Sequence, residues 1–214
     1  MSNTGVVTGK NAKDMANKSK IRTMALVAML AAVATVLMLF EIPLPFLAPA
    51  FYELDFSEVP VLIGAFAMGP LAGVAIELIK ILLNFIINGT ITAGVGELGN
   101  FLIGCSFIIP ASMIYHVKKT RKHAIYGMAG GTVFMAAAGC FINAYLLLPA
   151  YSAGLGIPMN ALVGMGTAIN PAIRNVFTFV LLAVGPFNLL KGIVVSALTL
   201  LLYKRVSVLI KAHH

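Results

Sequence analysis

The stretch VFTFVLLAVGPFNLLKGIVVSALTLLLY, residues 176–203, carries a single charged side chain, that of Lys191. At a rise of about 1.5 Å per residue, a helix over this stretch is longer than the ~30 Å hydrocarbon core of a bilayer. A strand of a membrane β-barrel would instead alternate polar and apolar residues over about ten positions. The stretch is continuously apolar, and it therefore predicts a membrane-spanning helix.

The composition of the whole chain points the same way. Of 214 residues, 60% are hydrophobic and only 10% are charged, which leaves too little polar sequence to cover a water-soluble globule. The 20 Gly and 10 Pro residues form no three-residue repeat and are separated by long apolar runs, which excludes a collagen-like or disordered chain. The predicted fold class is an all-α polytopic membrane protein.

The number of membrane crossings follows from the apolar runs and the basic clusters. The runs cover residues 24–40, 57–68, 71–87, 97–117, 124–148 and 176–203. The second run gives only ~18 Å of helix, so it must be extended, tilted or buried against its neighbours. Of the 15 Lys and Arg residues, 12 lie before the first run, at residues 118–122, or at the C-terminus. Six crossings place all three clusters on the cytoplasmic side, as the positive-inside rule requires.

We therefore predict six transmembrane helices with cytoplasmic N- and C-termini. The predicted parts are a basic N-terminal segment at residues 1–22, a membrane domain at 23–205 and a short cytoplasmic tail at 206–214. The net charge of +8 is then explained by membrane topology, and no nucleic-acid partner is expected.

The segment EIPLPFLAPAFYELDFSE, residues 41–58, connects the first two runs and is called the outer loop below. It has four acidic residues, three prolines and no Lys or Arg. Proline stiffens a loop, and the apolar side chains of Phe46, Leu47, Phe51 and Tyr52 favour packing against other residues. We interpret the loop as a lid, with an interfacial connector at the lipid headgroups as the alternative. The later outer connection, residues 149–175, is rich in Gly and is expected to be mobile.

Polar side chains within the apolar runs form a candidate ligand site. Glu77 and Lys80, at i and i+3, are expected to neutralise one another. Lys191 has no acid within a helical turn, and Asn188 lies on the same face three residues before it. With Asn143 on the fifth helix, these amides and this ammonium suit a ligand, although asparagine in a membrane helix also serves as interhelical glue. Further polar residues at the outer helix ends are expected at the mouth of the same site: Asn84, Glu97 and Asn100.

No sequence pattern for catalysis is present. The chain contains no phosphate-binding loop, no zinc-ligand spacing and no nucleophile elbow. The two cysteines show no redox or disulfide spacing. We expect a binding protein that takes its energy from a partner, without catalytic residues, metal or cofactor. A membrane-embedded enzyme or assembly factor is the alternative from another class.

The first helix offers a place for such a partner. Ala28 and Ala32 have the small-xxx-small spacing that lets two helices approach closely. The neighbouring helix belongs either to a partner chain or to the same chain.

Eight short segments, in order along the chain, resemble the riboflavin-specific substrate-binding (S) components of energy-coupling factor (ECF) vitamin transporters. They are AMLAA at 28–32, IPLPFLAP at 42–49, LDFSEVP at 54–60, GPLAG at 69–73, ELIKILLN at 77–84, GELGNFLIG at 96–104, NAYLLLP at 143–149 and PFNLLKG at 186–192.

The resemblance implies a riboflavin-capture subunit in the plasma membrane of a prokaryote, with six helices and a site reached from outside under the outer loop. It implies partnership with one transmembrane coupling protein and two ATPase subunits, with Ala28 and Ala32 at the coupling contact. The residues that it implies in flavin binding are Asn143, Asn188, Lys191, Leu54 and Asp55. Riboflavin would be cargo rather than a cofactor.

Two points depart from this expectation or leave it open. The connection at residues 149–175 looks longer than the corresponding segment of the family. The sequence therefore does not establish how the outer gate closes. Flavin mononucleotide is the nearest rival cargo, because its phosphate could meet Arg174 or Lys191, and another vitamin is a further alternative.

Overall fold

The structure is a computed structural model that describes residues 9–90 and 92–211, with side chains described for 17–90 and 92–202. The predicted basic segment at residues 1–22 and tail at 206–214 lie partly outside the described residues. The helices of the first half are α1 (Gly9–Met38), α2 (Glu58–Met68), α3 (Pro70–Asn88) and α4 (Val95–Lys118). Those of the second half are α5 (Arg121–Ile142), α6 (Leu148–Leu155), α7 (Met159–Ile169), α8 (Val176–Phe179) and α9 (Gly185–Lys211).

Among the described residues, five helical segments are long and apolar enough to cross a membrane: Asn17–Met38, Pro70–Asn88, Val95–Lys118, Arg121–Leu155 and Val176–Leu202. The helical, polytopic fold class is therefore confirmed. The remaining predicted span, α2, has 11 residues and a length of only ~17 Å. Most of its side chains are buried against neighbouring helices, one of the three solutions expected for so short a run. The six crossings and the cytoplasmic termini remain predictions.

The connection between α2 and α3 is a sharp turn at Gly69 and Pro70. Gly69 has a φ of 104°, a left-handed conformation that glycine adopts without steric cost. Pro70 starts α3, where its missing N–H costs nothing because the first turn of a helix has no intrahelical acceptor for it.

The outer loop contains a short antiparallel pairing of β1 (Ile42–Pro43) with β2 (Glu53–Leu54). This pairing brings the two ends of the loop together and sets Pro43 opposite Glu53. The residues between the strands form the tip of the loop. The tip packs on the apolar cluster formed by α5 to α9 and their connections.

The connection at residues 149–175 is largely helical, a feature that its Gly-rich sequence did not reveal. Its mobility remains a prediction. It comprises most of α6 and all of α7. Leu162 and Val163 of α7 are buried in the same cluster that receives the outer loop. The eleven-residue α7 was hidden in the sequence because glycines at 164 and 166 interrupt its apolar pattern.

Two π-helical turns, Asn143–Leu147 and Val180–Val184, interrupt the long helical segments. A proline follows each of them closely, Pro149 in α6 and Pro186 in α9. Proline inside a helix lacks an N–H and its ring clashes with the carbonyl four residues earlier, and a wider turn just before it relieves the clash. These turns rotate the polar residues next to them relative to a regular helix.

Candidate functional site

A cavity of about 720 Å³ lies between the outer loop and helices α3, α4, α5 and α9. Six residues proposed from the sequence line it: Asn84, Glu97, Asn100, Asn143, Asn188 and Lys191. The outer loop contributes Glu41, Ala50, Phe51, Tyr52 and Glu53 to its wall. The loop therefore forms one wall of the cavity, and its role as a lid remains a prediction.

Asn143 is fully buried at the start of the first π-helical turn. Its Nδ2 donates to the carbonyl oxygen of Gly139 at 2.8 Å. Its Oδ1 accepts a hydrogen bond from the hydroxyl of Tyr52 at 2.6 Å. The amide is thus fixed by one contact from its own helix and one from the outer loop, and one N–H and one lone pair are left for a ligand.

Asn188 lies on α9, just after the second π-helical turn. Its Nδ2 donates to the carbonyl oxygen of Val184 at 3.0 Å. A Cβ atom at Gly139 would lie only 2.6 Å from that Nδ2, so the side chain fills the space that the glycine on α5 leaves open. Gly139 therefore serves both asparagines: its carbonyl holds Asn143 and its missing side chain accommodates Asn188.

Lys191 has no acid within a helical turn of its own helix, but the outer loop supplies one. Its Nζ lies 2.8 Å from Oδ2 of Asp55, and both side chains are buried. The other oxygen of Asp55 accepts hydrogen bonds from the backbone N–H of Ser57, at 2.8 Å, and from its hydroxyl. Burial opposes ionisation of Asp55, but Lys191 and the more distant Lys80 outweigh it and lower its pKa to about 2.

The two loop residues implied by the resemblance have different positions. Asp55 reaches the site by pairing with Lys191 and is not itself among the residues that line the cavity. Leu54 is buried in β2 opposite Ile42 and does not line the cavity either.

The ion pair expected between Glu77 and Lys80 is present, and a third residue joins it. Lys80 Nζ lies 2.7 Å from Glu77 Oε2 and 2.9 Å from Glu58 Oε1, with all three side chains buried. Glu58 begins α2 and also lines the cavity. Sequence reasoning missed it because Glu58 and Lys80 are 22 positions apart.

The wall formed by the outer loop and the start of α4 carries several acidic residues. Glu41 is hydrogen-bonded to Glu53, and burial together with the neighbouring carboxylates raises the pKa of Glu41 to about 8. Glu97, near the start of α4, accepts hydrogen bonds from the hydroxyls of Thr90 and Thr92 at 3.1 and 3.2 Å. Lys191 is the only Lys or Arg among the described lining residues, and it is already paired.

Aromatic rings form the apolar part of the site. Tyr52 packs against Phe51 and Phe187, with ring centroids 4.7 and 5.7 Å apart, and Phe51 also contacts Tyr151 at 5.5 Å. The expectation that the loop aromatics pack is correct for Phe51 and Tyr52. It is wrong for Phe46, which is 74% exposed. Neither Phe187, within an apolar run, nor Tyr151, in the connection at residues 149–175, was singled out by the sequence.

Two sites proposed from the sequence lie away from the cavity. Ala28 and Ala32 are exposed on α1, whereas Ala31 between them is buried. Both side chains are therefore available to a neighbouring chain, and their contact with a partner remains a prediction. Arg174 lines a separate groove of about 390 Å³ beside α7 and is therefore not placed to meet a ligand in the main cavity.

The residues that line the cavity are suited to binding a ligand through hydrogen bonds and apolar contacts. Among the described residues, no group of three or more His, Cys, Asp or Glu side chains is arranged to hold a metal ion. Two oriented amides, a charge-neutral ion pair and an aromatic wall suit a flat, uncharged ligand with a polar edge.

Comparison with known proteins agrees with the sequence motifs. Residues 22–203 match a protein family that is described as the substrate-specific component of ECF transporters. A protein named riboflavin transporter RibU from Staphylococcus aureus (strain TCH60) is 34% identical over 201 residues, covering 94% of this chain and 98% of that relative. Riboflavin transporter FmnP from Bacillus subtilis (strain 168) is 34% identical over 185 residues, covering 86% and 91%.

The fold is also similar to a solved one. The structure of the S component of a bacterial ECF transporter superposes with a TM-score of 0.71 at 35% identity, covering 88% of this chain and 96% of that chain. These matches confirm the resemblance that the sequence motifs indicated.

Proposed function

Because the chain belongs to the family of substrate-specific components of ECF transporters, we propose that it captures riboflavin for import. It is a transport component rather than an enzyme. The observation that carries the proposal is the cavity beside the outer loop, which is lined by Asn143 from the first π-helical turn and by Asn188 and Lys191 from α9. The names of its relatives from Staphylococcus aureus and Bacillus subtilis support the same ligand.

The chemistry of riboflavin matches the two kinds of wall in this cavity. The pyrimidine edge of its isoalloxazine ring presents one N–H donor between carbonyl acceptors, which asparagine amides can pair with. The dimethylbenzene end requires an apolar surface, which Phe187, Leu147 and Met135 offer. The ribityl chain requires polar partners, and Asn84 and Asn100 line the same cavity from α3 and α4.

Flavin mononucleotide is the second candidate, and the charges favour riboflavin over it. A phosphate would add about two negative charges to a cavity already lined by the acidic residues Glu53 and Glu97. The ammonium of Lys191 is neutralised by Asp55 at 2.8 Å. Burying additional negative charge without a free cation is costly.

Transport requires an energy source in another chain, because no phosphate-binding loop occurs in this sequence. We propose a transmembrane coupling protein and two ATPase subunits as partners, with the exposed Ala28 and Ala32 at the contact with the coupling protein. The proposed topology is six crossings of the plasma membrane with both termini in the cytoplasm, so that the outer loop faces the outside.

The proposed function is tested with the full chain purified in detergent. Protein prepared from cells grown with riboflavin is expected to be yellow after gel filtration, and ligand-free protein is expected to quench the fluorescence of added riboflavin. A parallel titration with flavin mononucleotide is expected to give weaker binding. A colourless protein that leaves riboflavin fluorescence unchanged would contradict the proposal.

A further inference from the structure

Tyr52 joins the tip of the outer loop to the polar floor of the cavity. Its hydroxyl donates to Oδ1 of Asn143 at 2.6 Å across 91 positions of sequence. Both side chains are buried. The contact therefore couples the loop directly to one of the two amides at the proposed ligand site.

The hydroxyl of Tyr52 helps to fix the orientation of the Asn143 amide, that is, the positions of its oxygen Oδ1 and its nitrogen Nδ2. The carbonyl oxygen of Gly139 requires the NH₂ group on one side, at 2.8 Å, and the donor on Tyr52 requires the oxygen on the other. Rotating the amide by half a turn would set oxygen against oxygen at Gly139 and would break the bond from Tyr52 in its present donor sense. Together the two contacts leave one orientation for the atoms that face the cavity.

The ring of Tyr52 is held firmly enough for this role. It packs against Phe51, Phe179 and Phe187, with centroid distances of 4.7, 6.3 and 5.7 Å. Aromatic pairs at such distances are stabilising in tilted geometries. The position of the hydroxyl is therefore set by packing within the chain.

We propose that Tyr52 is a positioning residue for flavin recognition, which acts through Asn143 by fixing the donor and acceptor pattern that the amide presents. The inference rests on the proposed function, since it concerns the same site. It differs from a direct contact between Tyr52 and the ligand. In that case the effect of Tyr52 on affinity would not depend on Asn143.

A double-mutant cycle separates the two roles. Riboflavin affinity is measured by fluorescence quenching for the full-length chain in detergent, with Tyr52→Phe, Asn143→Ala and the double variant. Tyr52→Phe keeps the ring packing and removes only the hydroxyl. We expect it to weaken riboflavin binding about tenfold in the parent chain and less than about twofold when Asn143 is already alanine. The cycle is repeated with Asn143→Ser, so that a background with a remaining polar group is also titrated.

Tyr145→Phe is the matched control, because it removes a hydroxyl two positions from Asn143. Tyr145 is 73% exposed and does not line the cavity, so its loss is expected to leave affinity unchanged. Melting temperatures without ligand verify that every variant is folded.

The possible failures are distinguishable. If the parent chain and Tyr145→Phe do not bind riboflavin, the proposed function is wrong. If both bind and Tyr52→Phe binds equally well, the positioning role is wrong. It is also wrong if Tyr52→Phe costs the same factor in the Asn143→Ala and Asn143→Ser backgrounds as in the parent chain, which would indicate direct contact with the ligand.

Discussion

Gly139→Ala is the sharpest test of how α5 and α9 build the site. A methyl group at this position would lie 2.6 Å from Nδ2 and 3.3 Å from Cγ of Asn188. Ordinary contacts between heavy atoms are about 3.5 to 4.0 Å, so the end of the Asn188 side chain must move by roughly 1 Å. The hydrogen bond from Nδ2 to the carbonyl oxygen of Val184 is 3.0 Å long. We expect the shift to lengthen this donor–acceptor distance beyond the usual ~3.2 Å limit, so that the hydrogen bond is lost.

The expected result is a folded protein with weaker riboflavin binding. The methyl group meets the end of a side chain that can rotate, and the Gly139 carbonyl that holds Asn143 is unchanged. Losing one oriented amide partner of a buried ligand costs about 1 to 3 kcal/mol, roughly a 5- to 150-fold rise in Kd. Fluorescence-quenching titration measures the change in Kd, and gel filtration with thermal melting verifies the fold.

Gly164→Ala is the matched control. Gly164 lies within α7 and a methyl group there meets no heavy atom within 4 Å. Binding should be unchanged and stability should rise slightly, because alanine favours a helix by up to about 1 kcal/mol over glycine. The reasoning is refuted if Gly139→Ala binds riboflavin as tightly as the parent chain, since Asn188 would then not be held for the ligand by this contact.

Three further predictions concern the ligand, the partner and pH. Asn188→Ala and Lys191→Ala are each expected to weaken riboflavin binding by about 1 to 3 kcal/mol in the same titration, and unchanged affinity for both would move the site elsewhere. Ala28→Trp with Ala32→Trp is expected to abolish copurification with the coupling protein and riboflavin uptake in cells. Riboflavin binding by the isolated chain should stay intact, because both residues are exposed and neither lines the cavity; normal uptake would contradict the proposed contact. The pKa of Glu41 rises from 4.5 to about 8 on folding, so between these pH values the folded chain holds a proton that the unfolded chain releases. This contribution to stability is complete below pH 4.5 and is lost as the pH rises toward 8. Glu41→Gln should flatten that part of the dependence of melting temperature on pH, and an unchanged slope would show that Glu41 does not titrate in this way.

The long helices of this chain were predictable because a membrane-spanning helix requires a continuous apolar run, which is a local feature of the sequence. In a bilayer, a continuous apolar run of about 20 residues satisfies its backbone hydrogen bonds by forming a helix. The described part of the chain contains five such segments. The short α2 was also predictable, because a crossing at this short apolar run is needed to place all three basic clusters on the same side of the membrane. What local sequence did not reveal was α7, whose glycines weaken its apolar pattern.

The candidate site was only half visible for a related reason. Asn143, Asn188 and Lys191 stand out because polar groups in apolar runs are costly. The partners that fix them come from far along the chain, since Asp55 and Lys191 are 136 positions apart and Tyr52 and Asn143 are 91 apart. The prolines at 149 and 186 were a usable signal for the π-helical turns, because a proline inside a long apolar run implies a local change of helix geometry.

The outer loop is part of the charge balance of the membrane domain as well as a wall of the cavity. Its last residues supply acids to both buried lysines, with Asp55 pairing with Lys191 on α9 and Glu58 pairing with Lys80 on α3. Removing one member of a buried pair costs about 3 to 5 kcal/mol because the other charge stays buried without compensation. A substitution at Asp55 therefore strips Lys191 of its counter-charge and changes the stability of the fold together with the site. A substitution at Asn188 leaves no buried charge unpaired, so its effect on affinity reports recognition of the ligand.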